Sequence, residues 1–255
     1  MDARKSSKAP TSWGGVADWY ADYLGGDDTY QSKVILPNLI RVLAPEKGER
    51  ILDLACGEGF FSRELAKAGA DVTGADIAPE LVAKAKEAGQ GPRYVVAPAN
   101  DLSFAKNGEF DAVLCVLALQ NIEDLAGTFR EAKRVLKAGG RFVMVLNHPA
   151  FRVIKRSSWG WDEAANVQYR RIDGYLSAAK VPIDMHPGKS GGKKTVSYHR
   201  SLQDFFKALA GAGFAVTKLE EWNSHKTSEQ GPRQKAEDTA RKEIPLFMLL
   251  EAKAL

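Results

Sequence analysis

The chain has 255 residues, of which 44% are hydrophobic and 27% charged, and carries a formal net charge of +4. No apolar run approaches the roughly 18 residues that a bilayer crossing requires, so no membrane association is expected and the chain reads as soluble. The two cysteines, Cys56 and Cys115, each lie inside an apolar run, which fits buried reduced thiols and neither a disulfide framework nor a metal cluster.

From the N-terminus, residues 1–11 are basic and polar, with no apolar core or cleavage site; they are expected to form a disordered lead, not an export signal, which makes the cytoplasm the default location. Residues 12–44 place Trp13, Ala17, Tyr20 and Leu24, then Val34, Ile35, Leu39 and Val42, at helical spacing. This predicts an N-terminal cap of two helices broken at "GGDD".

The core is expected over residues 45–150. "ERILDLAC" reads as a strand, "GFFSRELAKAG" as a helix ending at Gly69, "DVTGADI" as a strand, and "PELVAKAKEAG" as a helix opening at Pro79 and closing at Gly89. "RYVVA" and "FDAVLCVLAL" continue as strands, then "DLAGTFREAKRVLKAGG" as a helix and "RFVMVLN" as a strand. Strands that are apolar throughout, alternating with amphipathic helices, predict a mostly parallel sheet covered on both faces. Residues 151–199 are rich in Trp, Tyr, Arg, Gly and Pro without a period and predict an inserted lid, in which Pro187 to Thr195 is a flexible loop. Residues 200–255 return to order as the helix "SLQDFFKALAGAG", the strand "FAVTKLEEW", a polar loop from Asn223 to about Glu243, and a last strand in "PLFMLLEAKAL".

Charge is uneven along this order. Residues 151–200 hold ten Lys or Arg against four Asp or Glu, a window able to attract an anion or simply a solvated face.

The stretch "ILDLACGEGFFS" joins the first core strand to its helix through a small-residue turn. In an open parallel sheet, ligands bind beyond the carboxyl ends of the strands, and the first such turn is the usual contact. Gly57 lets backbone approach a ligand, Gly59 follows it, and Asp53 supplies an acceptor at the strand end. Nineteen residues beyond Gly57, Asp76 ends the second strand, where a carboxylate can take both hydroxyls of a ribose. A nicotinamide dinucleotide would need a third glycine where Ser62 stands, and a diphosphate would meet Asp53. A cationic nucleoside suits that acid better. The alternative is that the glycines serve only a tight turn and Asp76 only the helix at Pro79.

With these motifs in this order the chain resembles the class I S-adenosylmethionine-dependent methyltransferases, over roughly residues 45–150 and the last two strands. The resemblance implies a Rossmann-like doubly wound α/β fold, with a mostly parallel seven-stranded sheet, N-terminal helices and an inserted lid, and S-adenosylmethionine as cofactor. It maps the family's acidic glycine-rich turn onto Asp53, Ala55, Gly57 and Gly59, with Ala55 replacing the first glycine, and assigns the ribose to Asp76 and the adenine to Ile77. "PANDL" lies at the adenine loop with Pro98 in place of the acid, leaving the Ala99 backbone and Asn100 as contacts. Leu117 and Gln120 lie near the cofactor at the edge of the fourth strand. Tyr20 and Tyr30 belong to helices that cover the cofactor in this family.

Methyl transfer to an oxygen, nitrogen or carbon of a small molecule would be an in-line displacement, helped by positioning and, for a poorly ionised acceptor, by a general base. His148, ending the fifth strand, and His199, closing the lid, are the candidates for that base; His186 and His225 lie in looser loops. A structural role is the alternative for each. Trp159, Trp161, Tyr169, Arg170 and Arg171 are candidate substrate contacts, able to stack on a flat molecule and pair with an anion; the alternative is a lid packing its own small core. Nucleic acid is disfavoured as a partner, because the fourth-strand edge reads "LALQNI" and the net charge is small. An RNA methyltransferase, a non-catalytic nucleoside-binding interaction protein and a nicotinamide-dependent oxidoreductase are the rival readings. The oligomeric state is not legible.

Overall fold

The computed structural model describes residues 28–184 and 194–255. The predicted lead, the first N-terminal helix with Tyr20, His186 and most of the Pro187–Thr195 loop lie outside them.

A π-helical turn, Gln31–Ile35, runs into α1 (Leu36–Leu43). The core follows as β1 (Arg50–Leu54), α2 (Phe60–Lys67), β2 (Asp71–Asp76), α3 (Pro79–Glu87), β3 (Arg93–Val96), β4 (Phe110–Val116), α4 (Leu125–Val135) and β5 (Leu136–Asn147). After the inserted segment come α5 (Leu202–Gly211), β10 (Phe214–Trp222), α6 (Gln234–Glu243) and β11 (Phe247–Ala254). The seven-stranded sheet has the order β10-β11-β5-β4-β1-β2-β3. Strands β1 to β5 pair in parallel, and β11 runs antiparallel to both β5 and β10.

Consecutive residues of one strand feed opposite cores, which is why these strands read as unbroken apolar runs. Leu52, Val113 and Met144 join Phe129, Phe142 and Phe205 beneath α4 and α5. Their neighbours Ile51, Leu114 and Val143 join Leu39, Leu43 and Leu65 beneath α1 and α2. Strand order reverses between β1 and β4, so the turns after those two strands open a crevice at the carboxyl edge.

Three elements differ from expectation. Helix α4 stops at Val135 instead of continuing through "LKAGG", because Leu136 already pairs with Phe110 and begins β5. Residues 151–199 are not aperiodic: β6 (Ser157–Asp162) pairs with β7 (Val167–Ile172), and β8 (Ala179–Asp184) with β9 (Lys194–His199), as two antiparallel hairpins. In β6 and β7 the inward face carries Ser157, Trp159, Trp161 and Arg170, which escapes a search for alternating aliphatics, whereas Ala179, Val181 and Ile183 of β8 do alternate with polar residues. The expected polar loop at Asn223–Glu243 contains α6, whose strongly polar sequence buries only Ala240 and therefore shows no apolar stripe.

Candidate functional site

The turn after β1 is built on two buried carboxylates. Asp53 is 2% exposed, and its Oδ2 accepts a 2.6 Å hydrogen bond from the hydroxyl of Ser62 on α2. Burial pushes the Asp53 pKa up to about 7, the Ser62 bond opposing and the nearby Asp76 charge reinforcing the rise. Asp76 accepts from the Gly57 amide at 2.9 Å through Oδ2 and from the Ala78 amide at 2.8 Å through Oδ1. It thereby ties the glycine turn to the end of β2, and burial raises its pKa against those two bonds. Each oxygen keeps a second lone pair for a hydroxyl.

Backbone conformation shapes the turn as well. Ala55, Gly57 and Gly59 have φ of 58°, 59° and 80°, and Leu117, just past β4, has φ of 52°. For Ala55 and Leu117 this left-handed backbone costs energy, and such strain gathers at ligand clamps. A Cβ on Gly59 would lie 2.4 Å from the Tyr94 hydroxyl. Glu58, also buried, is held by Arg63 at 2.7 Å.

Ala55, Gly57, Asp76, Ile77, Leu81 and Leu117 line a groove across the carboxyl ends of β1, β2 and β4, together with Ile122. It continues past Ala99 and Asn100 to Glu123 and Asp124, sharing Ala55, Ile77, Asn121 and Ile122. Its described lining residues include three acids and no Lys or Arg. A second cavity of about 400 Å³ lies at the end of β5 under the first hairpin, lined among others by Gln120, Arg152, Lys155, Trp159, Arg170, Tyr198, His199 and Arg200. Its described lining has four cationic side chains and no Asp or Glu. The short 3-10 turn Leu119–Asn121 separates the two, giving Gln120 to the cavity and Asn121 to the groove.

Comparison with known proteins decides the family. The family described as "Methyltransferase domain" matches residues 52–144. A solved S-adenosylmethionine-dependent methyltransferase from Mesorhizobium loti is 30% identical, with a TM-score of 0.67, over 89% of this chain and 99% of that one. The chain belongs to the S-adenosylmethionine-dependent methyltransferases. A ubiquinone biosynthesis O-methyltransferase of Xanthomonas oryzae is 40% identical over 105 residues, 39% of this chain and 44% of that protein. The match thus spans less than half the length of these curated relatives. The magnesium protoporphyrin IX methyltransferase of Synechocystis, solved with bound SAH, has a TM-score of 0.57 at 18% identity and shares the fold.

The groove fits this family's cofactor on its chemistry. Two acids at the strand ends and an apolar wall suit a sulfonium nucleoside, and no cation stands where a diphosphate would need one. Of the positions that the methyltransferase resemblance assigns to the cofactor, Ala55, Gly57, Asp76, Ile77, Leu117, Ala99 and Asn100 line the groove, with Asp53 in the floor of the turn and Gly59 capping α2. Two do not. Gln120 turns to the cavity, its amide donating to the Leu117 carbonyl at 2.5 Å and its Oε1 buried with no hydrogen-bond partner among the described residues. Tyr30 bonds Ser224 at 3.2 Å and packs on Phe247 and His225, on the far side of the sheet from α4.

The hairpin separates the expected substrate contacts by simple alternation. Trp159 and Arg170 are directly paired and line the cavity, with the guanidinium 5.1 Å from the indole centroid. Tyr169 and Arg171 fall on the opposite, exposed face, where Arg171 pairs with Asp173. Trp161 shares the inward face but packs under Arg233, next to α6. The histidines also separate. His148 is 2% exposed; its Nε2 lies 2.7 Å from Glu221, and its Nδ1 accepts from the amides of Ala150 and Phe151 at 3.2 and 3.4 Å. Both nitrogens are occupied, and burial lowers its pKa. His199 lines the cavity with Nε2 2.7 Å from the Tyr175 carbonyl. A carbonyl only accepts, so Nε2 is the donor of this bond. Arg152, Lys155, Tyr198 and Arg200 were not singled out from sequence; the basic count of residues 151–200 was the available signal.

Proposed function

We propose that this chain transfers a methyl group from S-adenosylmethionine to a small molecule held in the β5 cavity, with His199 as general base. The observation that carries this reading is the contrast in charge across the Leu119–Asn121 turn: an acidic groove suited to a cationic nucleoside abuts a basic cavity large enough for a compact acceptor. Asp76 and the Gly57 turn would hold the nucleoside, Asp53 would lie toward its cationic end, and the Leu117 backbone would close the other wall. When bound, S-adenosylmethionine supplies an electrophilic methyl carbon on a sulfonium. The chain's own contributions are to hold the acceptor beside that groove and to accept its proton at His199 Nδ1, worth about 10²–10⁴-fold where the acceptor is a hydroxyl.

The acceptor's small size is supported by the cavity of about 400 Å³ beneath the hairpin and by the curated relatives named ubiquinone biosynthesis O-methyltransferase. An RNA substrate is the competing reading, and the cavity's compactness disfavours it. Among the described residues no helix is long and apolar enough to cross a membrane. We place the chain in the cytoplasm because both cysteines are free thiols in or near the core. Incubation with S-adenosylmethionine labelled in its methyl group, followed by size separation of a cell extract, tests the reading. Label in the low-molecular-weight fraction supports it. Label confined to RNA, or no binding of S-adenosylhomocysteine at all, would overturn it.

A further inference from the structure

The β5 cavity contains a feature that methyl transfer alone does not require. Arg152 and Arg170 line the same cavity, where burial and then the Arg152 charge lower the Arg170 pKa, and Lys155 and Arg200 stand in the same wall. Arg170 is anchored by neutral partners, donating to the Phe151 carbonyl at 3.0 Å and the Ser157 hydroxyl at 2.8 Å. Arg200 likewise donates to carbonyls, those of Leu119, Ile122 and Glu123. Arg152 is exposed on the cavity wall, and its guanidinium has no carboxylate partner among the described residues. Bringing guanidinium groups together without a carboxylate is unfavourable, and a fold keeps such an arrangement where an anion arrives to neutralise it. The flat Trp159 ring beside Arg170 supplies an apolar surface next to those donors.

We propose that the cavity is an oxyanion site, in which Arg152 and Arg170 grip the carboxylate or phosphate of a flat acceptor while its ring lies along Trp159. The inference rests on the reading of this cavity as the acceptor site, and it narrows the acceptor class to anionic, ring-bearing molecules. Arg152 is the principal cation, because, unlike Lys155, Arg170 and Arg200, its side chain makes no hydrogen bond among the described residues. Arg170 is fixed in position by Phe151 and Ser157 and supplies the second donor.

Calorimetric titration of the full chain with benzoate, phenyl phosphate and methyl benzoate, each with and without S-adenosylhomocysteine, tests this. Either anion should bind at least tenfold tighter than the neutral ester, and the tighter of the two identifies the headgroup. Arg152→Gln, which removes no described hydrogen bond of that side chain, should erase the preference at least tenfold while leaving the melting temperature and the S-adenosylhomocysteine affinity unchanged. Equal binding of the ester, no binding of any of the three probes, or an anion preference that survives Arg152→Gln would overturn the proposal. A protein that takes the anions but not S-adenosylhomocysteine would keep the oxyanion site and remove the methyltransferase reading, so the two fail separately.

Discussion

Ser62 donates its hydroxyl to Asp53 across a 2.6 Å bond in the floor of the glycine turn. Position 62 is where a dinucleotide turn would carry its third glycine, needed for close packing of the helix on the strand. Here the serine occupies that space fully buried and gives the one side-chain hydrogen bond described for the Asp53 carboxyl. The substitution of serine for glycine therefore belongs with the acid: each is accommodated because the other is present.

This pair sets a pH dependence on cofactor binding. The Asp53 carboxyl titrates near pH 7 in the free protein, and a cationic ligand favours its ionised form. Below that value binding must first remove a proton, so affinity for S-adenosylmethionine should rise about tenfold between pH 6 and pH 8. For stability the sign is opposite. The folded pKa lies above the unfolded value of 3.8, so the native chain binds the extra proton, and Asp53 makes the apo protein less stable as pH rises from about 4 to 7. Calorimetry at three pH values on the wild type and Asp53→Asn checks both; a flat affinity profile in the wild type would discard the idea.

Asp76 has two duties that one substitution can separate by measurement. Asp76→Ala strips the acceptor from the Gly57 and Ala78 amides and should lower stability by ~1–3 kcal/mol. It should also weaken S-adenosylhomocysteine binding by a similar ~1–3 kcal/mol, from lost hydrogen bonds to the ribose. Thermal unfolding and titration report the two losses independently. A lower melting temperature with unchanged affinity would make Asp76 purely a brace for the turn.

Gly74 in β2 lies against Tyr94, and a Cβ there would come within 2.7 Å of the ring and 2.9 Å of the Cys56 sulfur. Gly74→Ala should destabilise by ~1–3 kcal/mol through overpacking. Adding Tyr94→Leu should recover part of that loss, and a double-mutant cycle by chemical denaturation measures the coupling. Purely additive effects would mean the neighbours yield without strain.

The two histidines should fail in different ways. His148→Ala removes the acceptor of two backbone amides and the partner of Glu221, so it should cost ~1–3 kcal/mol of stability and leave S-adenosylhomocysteine affinity intact. His148 also has a folded pKa below 6.5, so its contribution to stability falls as pH drops through about 6.5, where the unfolded imidazole takes the proton first. His199→Ala loses its bond to the Tyr175 carbonyl and should also cost ~1–3 kcal/mol of stability, but it should still bind the cofactor product and lose ~10²–10⁴-fold in methyl transfer. Retained turnover would exclude His199 as the base.

The core and the groove at the strand ends were legible in the chain because both depend on local order. Apolar runs such as 110–116 encode strands buried on two faces, and Pro79 and Gly69 mark helix ends. Asp53, Gly57 and Asp76 meet because each lies at a strand end, and parallel strands bring their carboxyl ends to one edge. The basic cavity was only half legible. A surplus of cations over residues 151–200 is visible in the chain, but which of them turn inward is decided by hairpin register, and one residue's shift would exchange Arg170 for Arg171. The division between His148 and His199 was not legible at all, since it depends on Glu221 and the Tyr175 carbonyl, 73 and 24 residues away. Sequence by itself determined the sheet, the turn and its charge. Only the tertiary structure decided which side chains share the β5 cavity, because long-range packing, not local periodicity, orients them.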